Sequence, residues 1–140
     1  MKYSKIDSSL FLFNRRHFVQ RMEDSALAIF NSNDIYPISA DSSMPFEQHR
    51  DIFFLSGVDQ EESILVISPA SKNKAHREVL FLKETSAHIA IWEGAKLDKD
   101  QAFNTSGIKT VYWLDQFERI MKQMMSEVDK VYFNTNEHLR

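Results

Sequence analysis

The residues best suited to metal or proton chemistry in the 140-residue chain are its five histidines, His17, His49, His76, His88 and His138. None falls in an HxH, HxxxH or HExxH spacing, the patterns that aim two imidazoles at one ion, so each is expected as a surface or hydrogen-bonded histidine and no metal site is expected. The chain has no cysteine, which removes disulfides, thiolate zinc sites and a cysteine nucleophile together and fits a reducing, cytoplasmic compartment. With three glycines and no GxGxxG, GxxxxGK[ST] or GxSxG pattern, the sequence argues against nucleotide chemistry. Asp59, Glu61 and Glu62 form the densest carboxylate group and could serve acid–base work or a divalent ion, but their place between Gly57 and the run starting at Ser63 reads better as a solvated turn. Trp92, in Ile91-Trp92-Glu93-Gly94, is the aromatic most suited to recognition: expected at a strand end and followed by glycine, it can project into a groove and stack on a ligand or partner. The alternative for Trp92 is a core tryptophan, and composition does not choose between them. Phe46, Phe53 and Phe54 are expected in the core rather than on a base-stacking face, and Met121 and Met124 on the buried stripe of a helix.

Charge narrows the partners. Seventeen basic against twenty acidic residues give a formal charge of −3, without the clustered excess of lysine and arginine that nucleic acid demands. Arg15, Arg16 and Arg21 are the one tight basic cluster, expected to be the solvated face of a helix. The longest apolar runs are a few residues, too short to span a bilayer, and the apolar cluster Leu10 to Phe13 lacks the sustained core and cleavage signature of a secretory signal. No nucleic acid and no membrane partner is expected.

These side chains need elements to position them. Phe11, Phe18 and Met22 predict a first helix over 10–22, and the apolar run 26–30 predicts a strand buried on both faces. The polar, proline-punctuated stretch 35–50 reads as a long irregular loop, of the kind that is usually functional or ordered by a partner. Strands are expected over 52–55, 63–68, 78–83 and 88–92, the second and third joined through 70–77 as an antiparallel hairpin-type pair. A short helix over 98–103, a strand over 108–113, a helix from Leu114 to Val128 whose first amides Asp115 and Glu118 could satisfy, and a strand over 131–133 complete the chain. The order predicts an α/β fold, a mixed sheet with helices on its faces, in a single domain spanning 1–140.

In that order stand Arg15-Arg16, Ser39-Ala40-Asp41, the run Phe46-Glu47-Gln48-His49-Arg50-Asp51-Ile52-Phe53-Phe54-Leu55-Ser56-Gly57, and Ile91-Trp92-Glu93-Gly94-Ala95-Lys96-Leu97. Together they resemble the N-terminal domain of aminopeptidase P, the Xaa-Pro aminopeptidase family, which is similar also to prolidase and creatinase. Glu47, His49, Ser56 and Lys96 depart from the family's usual arginine, asparagine, threonine and arginine. The resemblance implies the creatinase/prolidase N-terminal fold, similar to ribonuclease H, for this chain. It places catalysis in a following pita-bread domain that holds two divalent metals, usually manganese. No cofactor is then expected in these residues, and Glu137-His138-Leu139-Arg140 are expected to lead on into that domain. The resemblance further implies a homodimer or homotetramer, short proline-containing peptides as substrates, Trp92 reaching the cleft of a neighbouring subunit, and Asp41 in the loop facing it. Similar domains also occur fused to inactive pita-bread domains in histone chaperones that bind peptides without cleaving them, and the prolidase and creatinase branches keep the fold with other substrates.

Overall fold

A computed structural model describes residues 5–34, 37–39, 42–43 and 45–134. The helix α1 (Ser8–Gln20) leads into strand β1 (Ala26–Asn31), followed by a two-stranded hairpin of β2 (Pro37–Ser39) and β3 (Ser42–Ser43). Helix α2 (Arg50–Ser56) precedes the antiparallel pair β4 (Ile64–Ile67) and β5 (Glu78–Leu82), then come the helices α3 (Ala87–Glu93) and α4 (Lys99–Ser106). Strand β6 (Thr110–Trp113), helix α5 (Phe117–Met125) and strand β7 (Lys130–Phe133) close the described order. Five strands form one mixed sheet in the order β6-β5-β4-β1-β7, in which β1 runs antiparallel to β4 and parallel to β7, and β5 parallel to β6. The expected mixed α/β sheet with flanking helices is therefore observed.

Alternation along the strands divides the core into two layers. Ala28, Phe30, Leu65, Ile67, Leu80 and Leu82 face α1, α2 and α4 through Ile52, Leu55 and Ala102. Leu27, Ile29, Val66, Val79 and Phe81 face the opposite way, onto Ile120, Met121 and Met124 of α5. Five consecutive residues of β1, Ala26 to Phe30, are buried, which explains its unbroken apolar run.

Five expectations are corrected, the first being that the stretch 35–50, expected as an irregular loop, carries the paired strands β2 and β3. Residues 52–55 are helical, not a strand. The His49 side chain accepts from the Asp51 amide (3.2 Å), Gly57 closes the last turn onto the Phe53 carbonyl (2.8 Å) at φ +72°, and burial falls on Ile52 and Leu55 at helical spacing. Phe54 consequently points outward, 57% exposed, rather than into the core. Residues 88–92 also form a helix, α3, because Ser86 caps the Ile89 amide (3.2 Å) and Gly94 bonds back to Ala90. A run of four or five apolar residues suits a strand or a short helix equally, and here the caps decide. Asp115 and Glu118 do not cap α5; its N-cap, Gln116, makes no side-chain capping bond, its Oε1 accepting instead from the Trp113 amide (3.3 Å), and Glu118 pairs with Lys122 one turn on.

The fifth correction is the largest. Arg16 and Arg21 are exposed as expected, but Arg15 has no exposed surface at all. It lies on the same stripe as Phe11, Asn14, Phe18 and Met22, so the helix turns it inward. Its Nε donates to Glu78 (2.8 Å), and its Nη1 donates to the carbonyls of Leu55 (2.8 Å) and Ser106 (2.7 Å). Those carbonyls belong to the last turns of α2 and α4, where the helix dipoles leave partial negative charge. One cation thus caps two helices and ties both to the start of β5.

Arg15→Met should lower stability by about 3–5 kcal/mol in urea unfolding, because it leaves two buried carbonyls and a carboxylate without their donor. Glu78→Gln, on a side chain 30% exposed, should cost only about 1 kcal/mol. Gly57 and Gly107 both follow helices at positive φ (+72° and +78°), yet a Cβ on Gly57 would sit 2.3 Å from the Phe11 ring whereas one on Gly107 would meet its nearest atom at 3.5 Å. Gly57→Ala should therefore destabilise more than Gly107→Ala, by roughly 1 kcal/mol or more beyond the shared left-handed penalty.

Candidate functional site

The strand directions bring the chemistry-bearing segments to one rim of the sheet. β1, β5, β6 and β7 all end at the rim where β4 begins. The β2–β3 hairpin leaves the rim from β1, and α3 leaves it from β5. These two exits are separated only by β4, roughly 10 Å across the sheet. Segment 57–63 returns to the same rim ahead of β4.

Gln48 holds that segment. Its Nε2 donates to the carbonyls of Val58 (3.0 Å) and Gln60 (3.1 Å) and to Ser63 Oγ (3.3 Å), while its Oε1 accepts from the His49 amide (2.9 Å). Gln60 in turn is buried and accepts the Leu97 amide at its Oε1 (2.9 Å). Glu61 forms an ion pair with Lys96, both side chains being about four-fifths buried, and Glu62 pairs with Lys83 (3.5 Å). The expected solvated turn at Asp59, Glu61 and Glu62 is therefore only partly so: Glu61 is engaged by a lysine 35 residues away. Burial pushes the Glu61 carboxyl up, but the Lys96 hydrogen bond and charge, a backbone bond and the Lys83 charge outweigh it and hold the group below its ordinary value.

Trp92 stands on α3 rather than at a strand end, and it is 79% exposed, with Ile91 beside it at 75%. The core alternative for Trp92 is thereby removed. Asp41 lies outside the described residues, as does His138. Among the other histidines, His76 is buried against the Tyr112 hydroxyl (3.1 Å), His49 caps α2, His17 stacks on Phe13 and His88 is exposed.

Between β1, β4 and β7 the rim opens into a groove of about 430 Å³ of mixed character, with Asn31, Asp34, His49 and Glu62 as well as Ile64 and Leu114 in its lining. Asn134 extends the β1–β7 ladder by one rung, its side chain accepting from the Asn31 amide (2.9 Å) and donating to the Asn31 carbonyl (3.0 Å). Among the described residues no three histidine, aspartate or glutamate side chains gather closely enough to hold a metal ion, so the metal pair implied by the resemblance finds no ligand set here. No helix among them is long and apolar enough to cross a membrane. What the rim offers is an exposed indole and a hydrogen-bonding edge, features of recognition and positioning. Sequence reasoning gave Gln48 no role of its own although it stands in the run 46–57, missed Gln60 because an uncharged amide without a motif carries no local signal, and missed Lys96 as the partner of Glu61.

Residues 11–132 match the family model described as "Aminopeptidase P, N-terminal domain". The chain is 25% identical over 135 residues to the Xaa-Pro aminopeptidase of Escherichia coli, covering 96% of this chain and 30% of that protein. Human Xaa-Pro aminopeptidase 3 is 27% identical over 105 residues, 74% of this chain and 21% of the relative. Among solved structures, Pseudomonas aeruginosa aminopeptidase PepP superposes with a TM-score of 0.85 at 21% identity, covering 96% of this chain and 30% of that one. Escherichia coli aminopeptidase P with the inhibitor Pro-Leu gives 0.83 at 24%, with the same coverage. The chain thus spans less than a third of the length of these relatives.

An NMR titration of Glu61 should place its carboxyl below the usual glutamate range, and Lys96→Met should move it upward, because burial then acts with less opposition. With a depressed folded-state value, the pair's contribution to stability is present above the unfolded-state glutamate range and fades as pH falls through the folded-state value. A Glu61 titration that ignores Lys96 would show the pair does not form in solution.

Proposed function

Because the chain belongs to the aminopeptidase P N-terminal-domain family, we propose that it is the noncatalytic amino-terminal domain of a manganese-dependent Xaa-Pro aminopeptidase, an enzyme that removes the N-terminal residue preceding proline. On this reading residues 1–140 form one domain and a metal-binding catalytic domain follows it in the same polypeptide. That domain supplies the two divalent ions, and their chemistry is the activation of water as a nucleophile at neutral pH. The present domain shapes the substrate cleft and supports a homodimer or homotetramer in the cytoplasm.

The observation that carries the proposal is the pairing of Trp92 with Ile91 on the outer surface of α3. An indole and a branched aliphatic side chain, both about three-quarters exposed or more, gain when a partner surface or a peptide covers them. Trp92 is suited to stack on the ring of a proline-containing peptide and, projecting from a neighbouring subunit, to limit the cleft to short substrates. Asp41 is suited, as the resemblance implies, to meet a peptide amino group. These residues contribute binding and exclusion, and no bond-making step is assigned to them.

In the full-length enzyme, manganese should support release of the first residue from Xaa-Pro peptides and a chelator should abolish it. Trp92→Ala should reduce kcat/KM for short peptides by about tenfold while changing stability by less than about 0.5 kcal/mol, as suits an exposed side chain. The 140-residue chain alone should cleave nothing with manganese present, and chelator should leave its thermal midpoint unchanged. Unchanged kinetics on removing Trp92 would take it out of the substrate site, and peptide binding without cleavage by the full-length protein would make it a binding module.

A further inference from the structure

Among its described side chains helix α3 fully buries none and half-buries only Ile89 and Ala90, so little packing beneath the helix fixes its direction. Its placement depends on its two ends. At the front, the chain comes straight from β5 and Ser86 caps the first turn. At the back stands Gly94 at φ +86° with open space around it, a joint about which the helix can swing. Two residues later the chain is caught firmly: Lys96 pairs with Glu61, the Leu97 amide bonds to Gln60, and Leu97 packs onto the core layer under α2 and α4.

We propose that Glu61 and Lys96 are positioning residues for Trp92, their ion pair fixing the exit of α3 so that the indole is presented in one direction. The inference rests on the reading of Trp92 as a cleft residue. An exposed ion pair of this kind would be worth little, but here both side chains are about four-fifths shielded, where solvent screening is weaker. The partner of Lys96 is also no mobile surface carboxylate. Glu61 sits in the segment 57–63 that Gln48 holds by three donated hydrogen bonds, so the anchor is set against a fixed abutment. The Gln60 bond to Leu97 uses a backbone amide and survives loss of the lysine. Removing the ion pair should therefore loosen α3 rather than detach it.

The test combines a local and a functional readout. In the 140-residue chain, Glu61→Gln and Lys96→Met should lower the backbone NMR order parameters of residues 89–93 from about 0.85 toward 0.6 or below. Lys96→Arg and the charge exchange Glu61→Lys with Lys96→Glu should restore them. In the full-length enzyme, Lys96→Met should raise KM for a tripeptide with proline second by about three- to tenfold while leaving kcat within about twofold. Order parameters unchanged in both single variants would overturn the proposal. So would a loosened α3 with Lys96→Met kinetics unchanged while Trp92→Ala kinetics fall. A loosened α3 with kinetics unchanged in both variants would retire the cleft role of Trp92 and support the anchor.

Discussion

The fold depends on one buried cation. Arg15 lies where the last turns of α2 and α4 meet the beginning of β5, and it bonds to all three. An unpaired guanidinium in that position would be prohibitive; paired with Glu78 and two helix-end carbonyls, it satisfies groups that the helices would otherwise bury unpaired. The arrangement also constrains the chain beyond each helix. Both segments must turn away at once, and both do so at a glycine in the left-handed region, Gly57 and Gly107. From Gly57 the chain runs through Gln60 and Glu61 to the rim of the sheet, so the base fixed by Arg15 is also the base of the segment that meets Lys96 and Leu97.

Strands β1, β4 and β5 are legible in the sequence because burial on both faces leaves an apolar run with polar punctuation at each end. Helix α5 is legible because Ile120, Met121 and Met124 recur at helical spacing. Arg15 is misleading because its charge suggests solvent while its position does not: counted from Phe11, it stands four residues on and falls on the apolar stripe of the helix. Residues 52–55 and 88–92 mislead for a different reason. Over four or five apolar residues the strand and helix periods do not separate, and what decides is a capping side chain at one end and a glycine at the other. His49 and Ser86 supply those caps, and neither lies within the apolar run itself.

The candidate site shows the same division between local and distant signals. Trp92 stands out from its own neighbours, an aromatic two residues before a glycine, and its exposure in the structure decides between the two readings the sequence left open. Glu61 groups with Glu62 as a turn in the sequence, because adjacent carboxylates look alike until their partners are known. In the structure Glu61 faces a lysine 35 positions away across a shielded contact, whereas Glu62 meets Lys83 at the surface. No spacing rule connects 61 to 96; only the sheet order, which sets the exit of β5 beside the entrance of β4, brings them together.

That juxtaposition bears on how an exposed tryptophan can be effective. An indole of roughly 200 Å² covered by a partner offers about 5 kcal/mol at about 25 cal/mol per Å², before the costs of ordering it. Immobilising a side chain takes back about 0.5–1.5 kcal/mol, and ordering the backbone of a free arm takes back about 1–2 kcal/mol for each residue fixed. For a seven-residue helix swinging on Gly94, those losses would rival the gain. With the backbone of α3 already helical, capped at Ser86 and caught at Lys96 and Leu97, most of the ordering is complete before any partner arrives. On the proposed role of Trp92, the surplus from covering it can then appear as binding, and the groups that hold α3 from behind would matter as much as the indole they present.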